Sequence, residues 1–141
     1  MMKFFSFVIF LFCITPFGFC QNFDWNEPLN KVYHLDKMQP GEFENIKVEK
    51  LCSQEETTSF LIWVSDTVKP HFHKKHNETL YFIEGEGIFY VGSKKHEIKS
   101  GDYITIPKNV VHSFKTTSKS PIKAISVQAP EFFGEDRFWI E

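Results

Sequence analysis

Two stretches decide how this chain reads: Pro70-His71-Phe72-His73-Lys74-Lys75-His76-Asn77-Glu78 and Gly101-Asp102-Tyr103-Ile104-Thr105-Ile106-Pro107-Lys108-Asn109-Val110-Val111-His112. Side chains two apart on a β-strand point to one face, so His71 and His73 can aim at a common point. Glu78 follows five residues later, and Gly85 seven residues after that. The second stretch ends on His112. Two imidazoles, a carboxylate and a third imidazole from a distant strand make a donor set suited to a divalent transition metal. A lone His-x-His is usually a pair of solvated side chains. Here two ordered blocks of fixed residues, joined by residues 86 to 100, argue against coincidence.

These blocks resemble the two motifs of the cupin superfamily, in the small single-domain form. The first motif runs Gly, five residues, His-x-His, three or four residues, Glu, six residues, Gly. His71, His73, Glu78 and Gly85 match it, with Ser65 where the leading Gly would stand. The second runs Gly, five residues, Pro-x-Gly, two residues, His, three residues, Asn. Gly101, Pro107 and His112 match it, while Asn109 and Thr116 replace the Gly and the Asn. Asn tolerates left-handed backbone, so Asn109 is a mild departure. No departure touches a ligand position. The resemblance spans roughly residue 46 to the end, and Ala129 to Arg137 looks like the closing segment of many small cupins. It implies an all-β double-stranded β-helix (jelly roll) with metal ligands His71, His73, Glu78 and His112.

Residues 1–20 read as a secretory signal peptide: Lys3, then an apolar run from Phe4 to Ile14, then Pro16 and Gly18. The run is too short and wrongly flanked to span a membrane. Cleavage after Cys20 would leave 121 of the 141 residues, exported to the periplasm or beyond. The competing reading is a lipoprotein anchored through Cys20, against which Phe19 argues. Loss of Lys3 leaves 15 of the 16 Lys+Arg against 18 Asp+Glu, a formal net charge of −3. No basic stripe remains, which excludes nucleic acid as an expected partner. Lys74-Lys75 and Lys94-Lys95 read as solvated loop pairs. Cys52 is then the one remaining thiol and is expected to be buried as a small hydrophobe.

Residues 21–45 form a lead-in with turn signals at Asn26-Glu27-Pro28 and Gln39-Pro40-Gly41; its Tyr33 and Leu35 offer an edge strand, and His34 reads as structural or solvated. Residues 46–141 form the cupin domain. Strands are expected at Ile46–Leu51, Ser59–Val64, Thr79–Glu84, Gly87–Val91, Lys95–Lys99, Asp102–Ile106, Val111–Lys115 and Ile122–Gln128. Gly92-Ser93 reads as a hairpin turn. If Glu78 points inward, Leu80 and Phe82 follow it, and His112 brings Phe114. Thr79, Tyr81 and Ile83 then face out, so that face should be covered by the other sheet, the lead-in or a second subunit, and a homodimer is the expected assembly.

Three imidazoles and one carboxylate leave two positions open on an octahedral ion, and the set accommodates iron, manganese, nickel, zinc or copper. His76, in the ligand loop, is a candidate proton carrier or simply a loop histidine. No Ser-His-Asp order or phosphate loop appears. Two functions stay open. One is an enzyme on a small polar molecule, of dioxygenase, decarboxylase or isomerase type. The other is a non-catalytic module that binds a metal or a small ligand. A buried acid, base or Arg beside an open metal face would favour the enzyme.

Overall fold

The computed structural model describes residues 31–140, and those from Val32 onward form one compact unit. The readings made for residues 1–20, and for the turn at Asn26-Glu27-Pro28, lie outside the described residues. Ten strands are described: β1 Ile46–Gln54, β2 Thr57–Val64, β3 Thr67–Phe72, β4 Asn77–Glu84, β5 Glu86–Val91, β6 Lys94–Lys99, β7 Tyr103–Ile106, β8 His112–Thr116, β9 Ile122–Ala129 and β10 Phe138–Trp139. They form two five-stranded sheets, ordered β1-β2-β9-β4-β7 and β10-β3-β8-β5-β6. Every pairing is antiparallel. Facing sheets whose strands alternate between them are the jelly-roll arrangement. No helix among the described residues is long and apolar enough to cross a membrane.

Alternation in β4 sets the core. Leu80 and Phe82 are buried between the sheets, and Phe82 meets Phe89 and Phe114 at ring-centroid distances of 6.2 and 5.9 Å. Val64, Ile98, Ile106, Ile122 and Ala124 complete the cluster. Each such side chain contributes about 1.5–3 kcal/mol through burial. Gly87 is required by packing: a Cβ there would stand 2.1 Å from the Phe114 ring. Asn109, where the motif has glycine, adopts φ 66°, as its tolerance of left-handed backbone led us to expect. Thr116, in place of the motif Asn, is buried and donates its hydroxyl to the Val64 carbonyl at 2.9 Å.

Eight strands lie where the sequence places them, within one to three residues at each end, and Val91 and Lys94 flank the hairpin turn at Gly92-Ser93. Two strands escaped the reading. In β3, Pro70 and a register shift between Val68 and His71 break the alternation that reveals a strand. β10 is only two residues long. The edge strand offered by Tyr33 and Leu35 does not form. Leu35 to Lys37 is a turn closed by Lys37 N–H to the His34 carbonyl, and residues 31–45 contain no strand. His34 is exposed. Cys52 is half-buried rather than buried, because it lies at a register shift in β1.

The outer face of the first sheet is covered unevenly. Leu61, Trp63 and Lys123 are buried there, with the Lys123 ammonium 3.0 Å from Glu84. Tyr81 is 45% exposed beside its cross-strand neighbour Tyr103, which is 65% exposed.

Candidate metal centre

The site lies between the sheets, at one end of the core. His71 ends the inward row of β3 and is paired in register with His112, the first residue of β8. Paired residues share a face, and the two rings lie 4.1 Å apart. His73 stands one residue beyond β3, and Glu78 reaches across from β4 in the facing sheet. All four residues are buried, and one ligand atom from each lies within 4.8 Å of the others. The structure therefore brings together the four residues the two motifs single out.

Each imidazole is oriented by a main-chain carbonyl. His71 Nδ1–H donates to Lys69 at 2.9 Å, His112 Nδ1–H to Val110 at 3.0 Å, and His73 Nδ1–H to Asp136 at 2.5 Å. With the proton on Nδ1, the Nε2 lone pair is free to coordinate, as in most imidazole metal sites. The Nε2 atoms of His73 and His112 are buried and bond nothing among the described residues. Glu78 Oε1 accepts from Ser126 Oγ at 2.5 Å and Gln128 Nε2 at 3.3 Å, which turns Oε2 toward the histidines. Oε2 lies 3.2 Å from His112 Nε2 and 3.6 Å from His73 Nε2. Neighbouring ligands on an ion bound at 2.1 Å are separated by about 3.0 Å in an octahedron and about 3.4 Å in a tetrahedron. Unprotonated nitrogens beside a carboxylate repel it unless a cation lies among them. The donor set fits a divalent transition metal on both counts.

Electrostatics agree. Burial, then the neighbouring His112, lowers the His71 imidazole to about 4, so that it is neutral at physiological pH. Burial alone would raise the Glu78 carboxyl; without an ion, a ring proton on His112 or His73 facing it, together with the Ser126 hydroxyl, outweighs burial and holds it well below the usual carboxylate range, and a bound cation would take that proton's place. A neutral imidazole and an ionised carboxylate are the forms that bind metal.

A strap from the C-terminal end braces the ligand loop. The Asp136 carboxylate accepts backbone N–H groups from Lys74, Lys75 and His76, at 3.1, 2.8 and 3.2 Å, and pairs with the His76 ring. Burial favours the protonated Asp136, but His76 and those N–H groups prevail and lower its pKa. The other nitrogen of His76 is 2.9 Å from the Glu131 carbonyl. His76 is therefore held at both ring nitrogens, which ties the ligand loop to the strap.

A narrow cavity of about 70 Å³ runs to the site. His71, Glu78 and His112 line it together with Phe82, Phe89 and Phe114 of the core, and apart from these ligands, Ser113 and Arg137 its lining is apolar. Arg137, Asp136, Ser126 and Gln128 escaped the sequence reading. Ser126 and Gln128 carry a faint signal, two polar residues continuing the inward row of Ile122 and Ala124. Nothing local marks Asp136 and Arg137, which reach the site only through the path of the strap.

Residues 59–128 match the family model described as Cupin domain. The chain is 29% identical over 113 residues to an uncharacterized protein of Aquifex aeolicus, covering 80% of this chain and 93% of that one. It is 31% identical over 68 residues to quercetin 2,3-dioxygenase of Bacillus subtilis, covering 48% of this chain and 20% of the relative. Its fold is similar to that of a conserved Klebsiella pneumoniae protein with a double-stranded β-helix domain. That structure has a TM-score of 0.68 and 17% identity, over 79% of this chain and 97% of the other.

Proposed function

The chain belongs to the cupin superfamily, and from that premise we propose that it is a metal-dependent enzyme of dioxygenase type acting on a small organic molecule. His71, His73, Glu78 and His112 hold the metal. The observation that carries this reading is the set of three imidazoles, each fixed by its Nδ1–H, that converge with Glu78 beside the cavity. When bound, a redox-active metal supplies sites at which dioxygen and substrate can meet. The protein's part is to orient the ligands, hold Glu78 in place through Ser126 and Gln128, and surround the site with apolar side chains. Isomerisation and decarboxylation usually draw on a positioned acid or base. Apart from the ligands, the residues lining this cavity provide none. Likeness to a dioxygenase over 48% of the chain, which matches 20% of that relative, points the same way.

The test is oxygen uptake by protein loaded in turn with iron(II), manganese, nickel and copper, given a panel of enols and catechols. Metal-dependent uptake of one dioxygen per substrate consumed, lost in His112→Ala, is expected. Tight metal binding with no uptake on any substrate would instead support the non-catalytic binding module.

The exposed Tyr81–Tyr103 corner supports a homodimer formed through the first sheet, since its apolar area is worth about 25 cal/mol per Å² if removed from water. Light scattering should find a dimer, and Tyr81→Lys with Ile83→Lys should yield a folded monomer. A monomeric parent protein contradicts the dimer.

A further inference from the structure

We infer that the substrate is a small monocarboxylate with a planar apolar body, its carboxylate anchored by Arg137; the inference rests on the proposed metal enzyme and names its substrate class. Arg137 lines the cavity that leads to His71, Glu78 and His112. Its guanidinium forms no hydrogen bond or ion pair among the described residues, and its Nε is sealed from water. A guanidinium left without an acceptor at a buried nitrogen is costly in a protein, and a planar bidentate carboxylate is the partner its fork fits best.

Arg137 is the one Lys or Arg among the residues lining this cavity. Its planar fork matches the two oxygens of a carboxylate edge to edge, a fit that a tetrahedral phosphate does not need.

The mouth argues for the apolar body. Arg137 stands just before β10 and lines a common surface with Trp139, which pairs with His71 at a ring-centroid distance of 5.2 Å. Facing them across the opening is β1, whose inward residues Ile46 and Val48 are 37% and 42% exposed, while Trp139 is 52% exposed. Arg137 itself lies over the Trp139 ring at 5.7 Å. Exposed apolar side chains that point toward the interior of a sandwich, rather than away from it, line a path. An indole beside a guanidinium and two aliphatic side chains together suit a flat apolar group carrying an anion at its inner end.

The experiment compares benzoate with neutral, isosteric benzamide by calorimetry on the full chain loaded with zinc, which is redox-inactive. Wild type should bind benzoate at least about 10-fold more tightly. That margin is about 1.4 kcal/mol, the low end of a charge-assisted hydrogen bond. Arg137→Gln should abolish the preference at unchanged zinc content, and Arg137→Lys should restore part of it. Equal binding of the two probes by wild type overturns the inference. So does a benzoate preference that survives Arg137→Gln, which would place the anion on the metal alone. Zinc content reports separately on the proposed metal site. A chain that takes up no metal yet prefers benzoate through Arg137 keeps the carboxylate site and loses the metal enzyme.

Discussion

His73→Ala is expected to weaken metal binding by more than about 100-fold and to leave the barrel folded. The first part follows from its place among the four converging donors, with an Nε2 that bonds nothing else. Loss of an outer hydrogen bond to a ligand typically costs about 10–100-fold in affinity, and loss of the ligand itself should exceed that. The second part follows from where stability resides. The core around Phe82, Phe89 and Phe114 lies deeper between the sheets than the metal site and does not include it. Removing the imidazole deletes one hydrogen bond, to the Asp136 carbonyl, worth about 0.5–1.5 kcal/mol. Metal titration beside urea denaturation of the metal-free protein checks both parts. Metal-free wild type that is already unfolded would show that the ion is structural.

Asp136→Ala should have the larger effect on stability, on the order of 3–5 kcal/mol, although Asp136 is not among the metal-binding candidates. Its carboxylate is the acceptor for three consecutive N–H groups and for His76, and the substitution leaves all of them without it. Metal affinity should fall about 10–100-fold as well, because the same residue's carbonyl orients His73 and its side chain fixes the loop between His73 and Glu78. Asp136→Asn, which keeps one carboxylate-like oxygen, should lie between wild type and Ala in urea denaturation. The contribution should be present above about pH 4, the unfolded value for Asp, and fade as pH drops through its lowered folded value. Unchanged stability in Asp136→Ala would mean that the strap follows the ligand loop without bracing it.

The contrast between these residues shows what the sequence could and could not reveal. His71, His73, Glu78 and His112 are legible because strand parity and fixed spacing constrain side-chain direction locally. His73 lies one residue beyond β3, yet still converges with His71. The inward row Glu78, Leu80, Phe82 and the inward Phe114 followed from the same period-two rule. β3 was hidden because Pro70 and a bulge disguise the period, although two of the anchoring facts, His71 and its pairing with His112, belong to it. The strap lay beyond local reasoning altogether. Asp136 meets His76 across 60 residues of sequence, and no pattern near either residue announces the contact. The same holds for Arg137, whose importance comes from sharing a cavity with the metal candidates.

The central claim is that one metal ion is held by three imidazoles and one carboxylate. X-ray absorption at the metal edge, on protein purified without a chelating tag, tests it most directly. The expected spectrum has about three imidazole nitrogens and the remaining ligands as oxygens, at about 2.0–2.2 Å, with the imidazole count falling to about two in His73→Ala. A spectrum with no imidazole scattering, or an imidazole count unchanged in His73→Ala, would contradict it.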